Sequence, residues 1–216
     1  MAGLTLVIGN MNYSSWSLRP WLTLRAAGLP FEEVRIPLST EHSKAEILRH
    51  SPAGKVPVLK EGDLVIWESL AICERAAELA PMAQLWPAES SARAVARSVS
   101  SEMHAGFAAL RTLCPMNLRA RAKRALTPEA EADVARICEI WRGCRERFGK
   151  GGDFLFGRFG IADAMYAPVA TRFRTWGIPA EPMAQRYIDA VLATPHFKEW
   201  EAAALLEPER IASSEP

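Results

Sequence analysis

The chain has 216 residues, 49% hydrophobic and 24% charged, a composition that buries one large core or two modest ones and excludes a disordered polymer. Its 26 basic and 25 acidic residues leave a formal charge of +1, so no net field draws it to nucleic acid or to an anionic membrane. Four cysteines, Cys73, Cys114, Cys138 and Cys144, make no C-x-x-C pair and no metal spacing with histidine, which predicts reduced, mostly buried thiols and no metal site.

Taken in chain order, LTLVI (4–8) reads as a strand, and SSWSLRPWLTLRAAG has helical apolar spacing that stops at Gly28. FEEVRI follows as a second strand, completing a βαβ unit whose strands are parallel. TEHSKAEILRH predicts a short helix with Thr40 as N-cap. VPVLKEGDLVIW predicts two strands, 56–60 and 64–67, joined by a hairpin turn at Gly62. ESLAICERAAELA closes the segment as a helix. The expected first domain is thus an α/β unit with a mixed four-stranded sheet over residues 1–80.

Two prolines in PMAQLWP break the pattern, marking 81–89 as a linker. No strand pattern recurs over 90–216, where an all-α domain is expected. Its helices are a long one over 90–113, one starting at Thr127-Pro128-Glu129 with Thr as N-cap and Pro at N1, and two more over 161–176 and 194–206. The tail IASSEP reads as frayed. The basic run RARAKR lacks interleaved aromatics and reads as a solvated face, and Trp21, Trp141 and Trp200 read as core. The N-terminus has no basic leader and no window reaches the roughly 18 apolar residues of a membrane span, so a cytoplasmic location is expected.

Two places carry chemistry. Pro57 stands at the start of a strand, where it lacks a ladder donor; a cis Val56–Pro57 bond would turn the Val56 backbone towards a bound extended peptide. Glu68 and Ser69 stand where the last strand meets its helix, and the unpaired N–H groups there suit a carboxylate while the Glu68 side chain suits an ammonium group. The pair is equally a favourable helix cap. Ser14 and Ser15 sit where the first helix begins, either as caps or as hydroxyls offered to a ligand.

YSSWSLRPWL, SPAGKVPVL, ESLAICE and GIADAMYAPV, in that order, resemble the cytosolic glutathione transferase superfamily. Ser14, Ser15, Ser17 and Arg19 form an S-S-x-S-x-R pattern similar to that of serine-type bacterial members, most closely the zeta-like motif, with Trp16 where that motif has cysteine. The resemblance implies a thioredoxin-like N-terminal domain, an all-helical C-terminal domain, glutathione as co-substrate without a metal, a small hydrophobic electrophile, a homodimer and a role in detoxification. It implies Ser14 as first and Ser15 as second choice of hydroxyl donor to the glutathione sulfur, with Tyr13 as the rival. Lowering a thiol pKa from about 8.5 to about 7 takes ~2 kcal/mol of preferential thiolate stabilisation.

By the same resemblance Val56 pairs with the cysteinyl unit, Pro57 sets that geometry, Glu68 and Ser69 take the γ-glutamyl end, and His42 and Lys55 are candidates for the glycyl carboxylate, with His42 equally readable as a solvated surface histidine. Met103, His104, Phe107 and Arg111 recur at helical spacing and are candidates for the electrophile pocket, although an apolar stripe of this kind is more often core; His104 and Arg111, on one helical face, could meet an anionic co-substrate or serve a surface or dimer contact. Asp163 resembles the family's buried capping-box acid, a structural group. The alternative activities are a glutathione-dependent isomerase or dehalogenase, and a non-catalytic glutathione-binding protein.

Overall fold

LTLVI alternates its side chains between two apolar surroundings, and that alternation decides how the first half of the chain is layered. A computed structural model of the protein describes residues 3–216. In it the five residues form β1 (Leu4–Ile8), at the centre of a sheet with the strand order β2-β1-β3-β4, where β2 is Phe31–Arg35, β3 Val58–Glu61 and β4 Leu64–Trp67. β1 runs parallel to β2 and antiparallel to β3, and β4 is antiparallel to β3. Leu4, Leu6 and Ile8 face the main core with Leu18, Trp21, Leu22 and Ile72, while Val7 faces a smaller cluster with Ile36, Ile47 and Val58. A central strand buried on both faces needs apolar residues at nearly every position, Thr5 being the one polar and half-buried residue here, and each fully buried Leu, Val or Ile contributes roughly 1.5–3 kcal/mol.

The helices of this half are α1 (Ser15–Ala26), α2 (Ser43–Leu48) and α3 (Ser69–Leu79). The mixed four-stranded sheet is the one expected from the sequence, and the Gly62 hairpin joins β3 to β4 with a positive φ of 60°. β3 starts two residues later than expected, because Pro57 has no N–H to give the ladder. α2 starts at Ser43, not after a Thr40 cap. Ser43 Oγ takes the Thr40 N–H at 2.9 Å, so the bonding runs opposite to the expected cap.

The second half is helical. α4 (Ser90–Ala105) and α5 (Ala108–Leu113) replace the single long helix expected over 90–113. The break lies at Gly106, a poor helix residue with extended backbone, and Phe107, whose φ of 59° is left-handed. Asp133 Oδ2 then accepts the Leu110 N–H at 2.9 Å, satisfying an amide at the start of α5. α6 (Pro128–Phe148) has the expected Thr127 cap, and α7 (Ile161–Trp176) has the expected start at Gly160. α8 (Pro182–Ala193) was not anticipated, although Ala184, Tyr187, Ile188 and Val191 are buried at helical spacing; α9 (Pro195–Leu206) follows from its Thr194 cap.

α7 is buried along almost its whole length and packs against α1, α4 and α8. Trp21 of α1 meets Trp200 of α9 edge to face at 5.3 Å between ring centroids, and Trp141 lies in the same core. Asp163 fixes the α7 start, accepting the Gly160 N–H at 2.9 Å and the Leu155 N–H at 3.0 Å. Burial raises its pKa to about 6.

The tail is docked, not frayed. Asn117 Nδ2 donates to the Ser214 carbonyl at 3.1 Å, and Ile211 is buried. The basic run stays at the surface, with Arg121 and Lys123 exposed, but its arginines are engaged. Arg119, Arg121 and Arg124 donate to backbone carbonyls of Glu209, Leu118 and Leu113.

Candidate functional site

The loop after β1 and the start of α1 form one wall of a cleft of about 460 Å³. Tyr13, Ser14, Ser15 and Trp16 line it on this side; Lys55, Val56 and Pro57 line it from the segment before β3, and Glu68 and Ser69 from the start of α3. Leu38, Ile47 and Gly54 complete much of the floor. Three stretches separated by some 40 and 10 residues of sequence thus converge because β1, β3 and β4 are neighbours in the sheet.

Ser14 is the N-cap of α1. Its Oγ accepts the Ser17 N–H at 3.4 Å and lies 2.8 Å from Ser17 Oγ. Ser17 Oγ in turn accepts the Gly9 N–H at 3.1 Å. If the Ser17 hydroxyl donates to Ser14, the Ser14 proton is left for an acceptor in the cleft, at the positive end of a helix. Ser15 is the first residue of that helix and borders the same space.

Tyr13 is placed differently. Its hydroxyl donates to the Glu215 carboxylate and accepts from Arg119 Nη2 at 2.8 Å, so both its functions are already engaged.

A second set of bonds holds the loop that carries these residues. Glu207 Oε1 and Oε2 accept the Met11 and Asn12 N–H groups at 2.7 and 3.0 Å, and Arg35 Nη1 lies 3.3 Å from Glu207 Oε1. Trp200 Nε1 donates to the Met11 carbonyl at 2.9 Å, and Asn12 Nδ2 to Asn117 Oδ1 at 3.0 Å. No local pattern announces Glu207, Trp200 or Asn117, because each reaches the loop across more than a hundred residues of sequence.

On the opposite wall the Val56–Pro57 peptide is cis, and Glu68 has a φ of 71°. A positive φ is costly for a residue with a long side chain and is retained where the surroundings fix it, often at a binding site. Ser69 is buried, and its Oγ has no hydrogen-bond partner. Such an orphaned hydroxyl beside a cleft is a ready contact for a polar ligand.

His42 stands apart. It is exposed, pairs with Glu41 at 3.1 Å and does not border the cleft. Met103 and Phe107 are buried in the main core and do not border it either. His104 and Arg111 lie on two helices, not on one face of a single helix, yet they still meet. Arg111 Nη1 donates to the His104 carbonyl at 3.2 Å, and both side chains lie against Trp16, at 5.2 Å each from its ring centroid. His104 Nε2 is 3.3 Å from Glu68 Oε2, and burial, the largest cause, lowers the His104 pKa. Cys73 is buried and its thiol pKa is pushed up to about 12 by desolvation, which makes it a poor nucleophile. Among the described residues no cluster of three His, Cys, Asp or Glu has metal-holding geometry, and no helix is long and apolar enough to cross a membrane.

The sequence matches the family model of the glutathione S-transferase N-terminal domain over residues 13–79 and that of the C-terminal domain over residues 117–203. Glutathione S-transferase 1 of Dianthus caryophyllus is 30% identical over 198 residues, covering 88% of each chain. Glutathione S-transferase 1 of Zea mays is 46% identical over 65 residues, where the match spans 29% of this chain and only 30% of that relative. Among solved structures, a glutathione transferase homolog from Burkholderia with bound glutathione superposes with a TM-score of 0.72 at 22% identity, covering 94% of this chain and 98% of that one. The unclassified glutathione S-transferase 2 of Bombyx mori gives 0.74 at 21% identity, covering 94% of each. These two share the fold, and the identity to the Dianthus protein extends over both halves of the sequence. The chain belongs to the glutathione S-transferase family.

Proposed function

We propose that the protein is a serine-type glutathione transferase that binds glutathione in the cleft between α1 and α3, holds its sulfur as thiolate with Ser14, and conjugates it to a hydrophobic electrophile. The observation that carries this reading is the Gly9–Ser17–Ser14 chain of contacts, in which a Ser17 hydroxyl donating to Ser14 frees the Ser14 proton for the cleft at the start of α1. Ser15 is the second donor. Tyr13 is a weaker candidate, since its hydroxyl is engaged by Glu215 and Arg119.

Glutathione supplies the nucleophilic sulfur, and the chain's residues orient it. The Val56 backbone pairs with the cysteinyl unit, Lys55 meets the glycyl carboxylate, Ser69 Oγ and the α3 amides take the γ-glutamyl carboxylate, and Glu68 takes the ammonium group. The thiol proton leaves to solvent. The sulfur lone pair forms the new S–C bond, and the electrophile's leaving group departs with the displaced pair or its π electrons move onto an acceptor atom. Holding both partners together and favouring the thiolate are the protein's contributions. The S-S-x-S-x-R pattern supports a kinship with the zeta-like class, from which Trp16 in place of cysteine sets the chain apart. Residues 1–80 form the glutathione-binding domain, 81–89 the linker and 90–216 the domain that meets the electrophile; the protein acts as a cytoplasmic homodimer.

The test is a pH titration of bound thiolate absorbance. Ser14→Ala is expected to raise the pKa of the bound thiol most, by about 1, Ser15→Ala less, and Tyr13→Phe least. An unchanged value in Ser14→Ala with a rise in Tyr13→Phe would transfer the role to the tyrosine.

A further inference from the structure

Behind Trp16 the protein holds a group of cations that make no ion pair with any carboxylate among the described residues. Arg19 of α1 is completely enclosed, and none of its three guanidinium nitrogens meets an acceptor. Arg172 of α7 is also buried. Its Nε donates to the Cys114 carbonyl at 2.9 Å and its Nη1 has no partner. Arg111 of α5 is half-buried and bonds the His104 carbonyl. Burial, then repulsion from Arg172 and Arg111, lowers the Arg19 pKa to about 9, which still leaves it charged at neutral pH. The acids near the group are Asp133, whose Oδ2 accepts the Leu110 N–H, and Glu68, which faces His104.

Several like charges gathered away from water without an anion are unfavourable, and a bound anion relieves both the repulsion and the desolvation. Their position says where that anion belongs. The Arg19 guanidinium lies 4.3 Å and that of Arg111 5.2 Å from the centroid of the Trp16 ring, and Trp16 is a wall of the glutathione cleft. His104, edge-on to the same ring, has a buried Nδ1 without a partner. Through His104 of α4 and Arg111 of α5 against Trp16, this side of the cleft faces the helical half.

We infer that the electrophile is an anion, a flat conjugated molecule bearing a carboxylate, with its π system against Trp16 and its carboxylate received by Arg111 while Arg19 and Arg172 supply positive field behind it. The inference rests on the transferase reading and names the substrate class of that site. The apolar body follows from the exposed part of the indole, and the negative end from the guanidinium groups that make no ion pair among the described residues.

Calorimetric titration at saturating glutathione tests it with 3-benzoylpropionate, an unreactive aryl keto acid, and its methyl ester. The wild type is expected to bind the acid about 10-fold more tightly than the ester. Arg111→Gln should narrow that ratio to within about twofold, and Arg111→Lys should restore part of it. Thermal melts check that the variants fold. Equal binding of acid and ester by the wild type, a ratio that survives Arg111→Gln, or a loss of glutathione affinity with the acid preference intact would each overturn the inference.

Turnover of the reactive pair, 3-benzoylacrylate and its methyl ester, is followed separately. Conjugation of both without preference for the acid removes the anion subsite and leaves the transferase reading standing. Selective binding of the acid without conjugation of either compound upholds the subsite and removes the transferase reading.

Discussion

Ser17 links the backbone of the first strand to the hydroxyl at the cleft, and its removal separates two effects. Ser17→Ala leaves the Gly9 N–H without its acceptor and Ser14 without its neighbour. The expected loss of stability is ~1–3 kcal/mol, measured by denaturant unfolding, together with a rise in bound thiol pKa smaller than that of Ser14→Ala. A thiol pKa unmoved by Ser17→Ala would show that Ser14 acts without it. Asp163 gives a pH signature. Its unfolded carboxyl titrates near 3.8 and the folded one at about 6, so between those values the folded chain holds the extra proton. The stability it contributes is complete below about pH 4 and is lost as pH rises through about 6. Asp163→Asn matches only one of the two N–H groups, costing ~1–3 kcal/mol near pH 4. The gap between wild type and variant should then narrow towards pH 6, and a gap that widens would contradict the buried-acid account. At this scale the serines, Pro57, Glu68 and Asp163 were visible in the sequence, because caps, turns and strand starts select residue types locally. The direction of the Tyr13 hydroxyl was not visible, because Glu215 lies 202 residues away.

Among the elements, regular helices and strands were legible where apolar spacing and caps agreed, as in β1, β4, α6 and α9. Besides α8, two features escaped for identifiable reasons. The α4–α5 break turns on one left-handed Phe107, a backbone choice that side-chain periodicity does not reveal. The C-terminal segment has turn-like composition, yet it is held by Glu207, Glu215 and Asn117 against the loop before α1. Glu207→Ala removes the acceptor of two buried backbone N–H groups and leaves Arg35 with Glu209 as its remaining pair. The expected cost is ~2–4 kcal/mol, with faster hydrogen exchange at the Met11 and Asn12 amides and weaker glutathione binding. Unchanged exchange at both amides would show that the tail does not hold the loop.

For the molecule as a whole, the division into a sheet half and a helical half was legible from the end of strand patterning near residue 81, whereas the way the halves join was not, since it depends on contacts distant in sequence. α1 belongs to the sheet half by its place in the chain and packs on α7 of the helical half as well as on α3. Trp21 against Trp200 and Glu207 on the Met11 amide extend the same seam. Unfolding in denaturant should therefore be a single transition, with tryptophan emission and far-ultraviolet dichroism coinciding; two separated midpoints would mean that the seam yields before either half. Because one helix both borders the cleft and ties the halves together, any compound gripping its first turn steadies the entire chain against heat. A melting curve thus becomes a gauge of occupancy, and candidate compounds can be ranked with a thermometer before any product is identified.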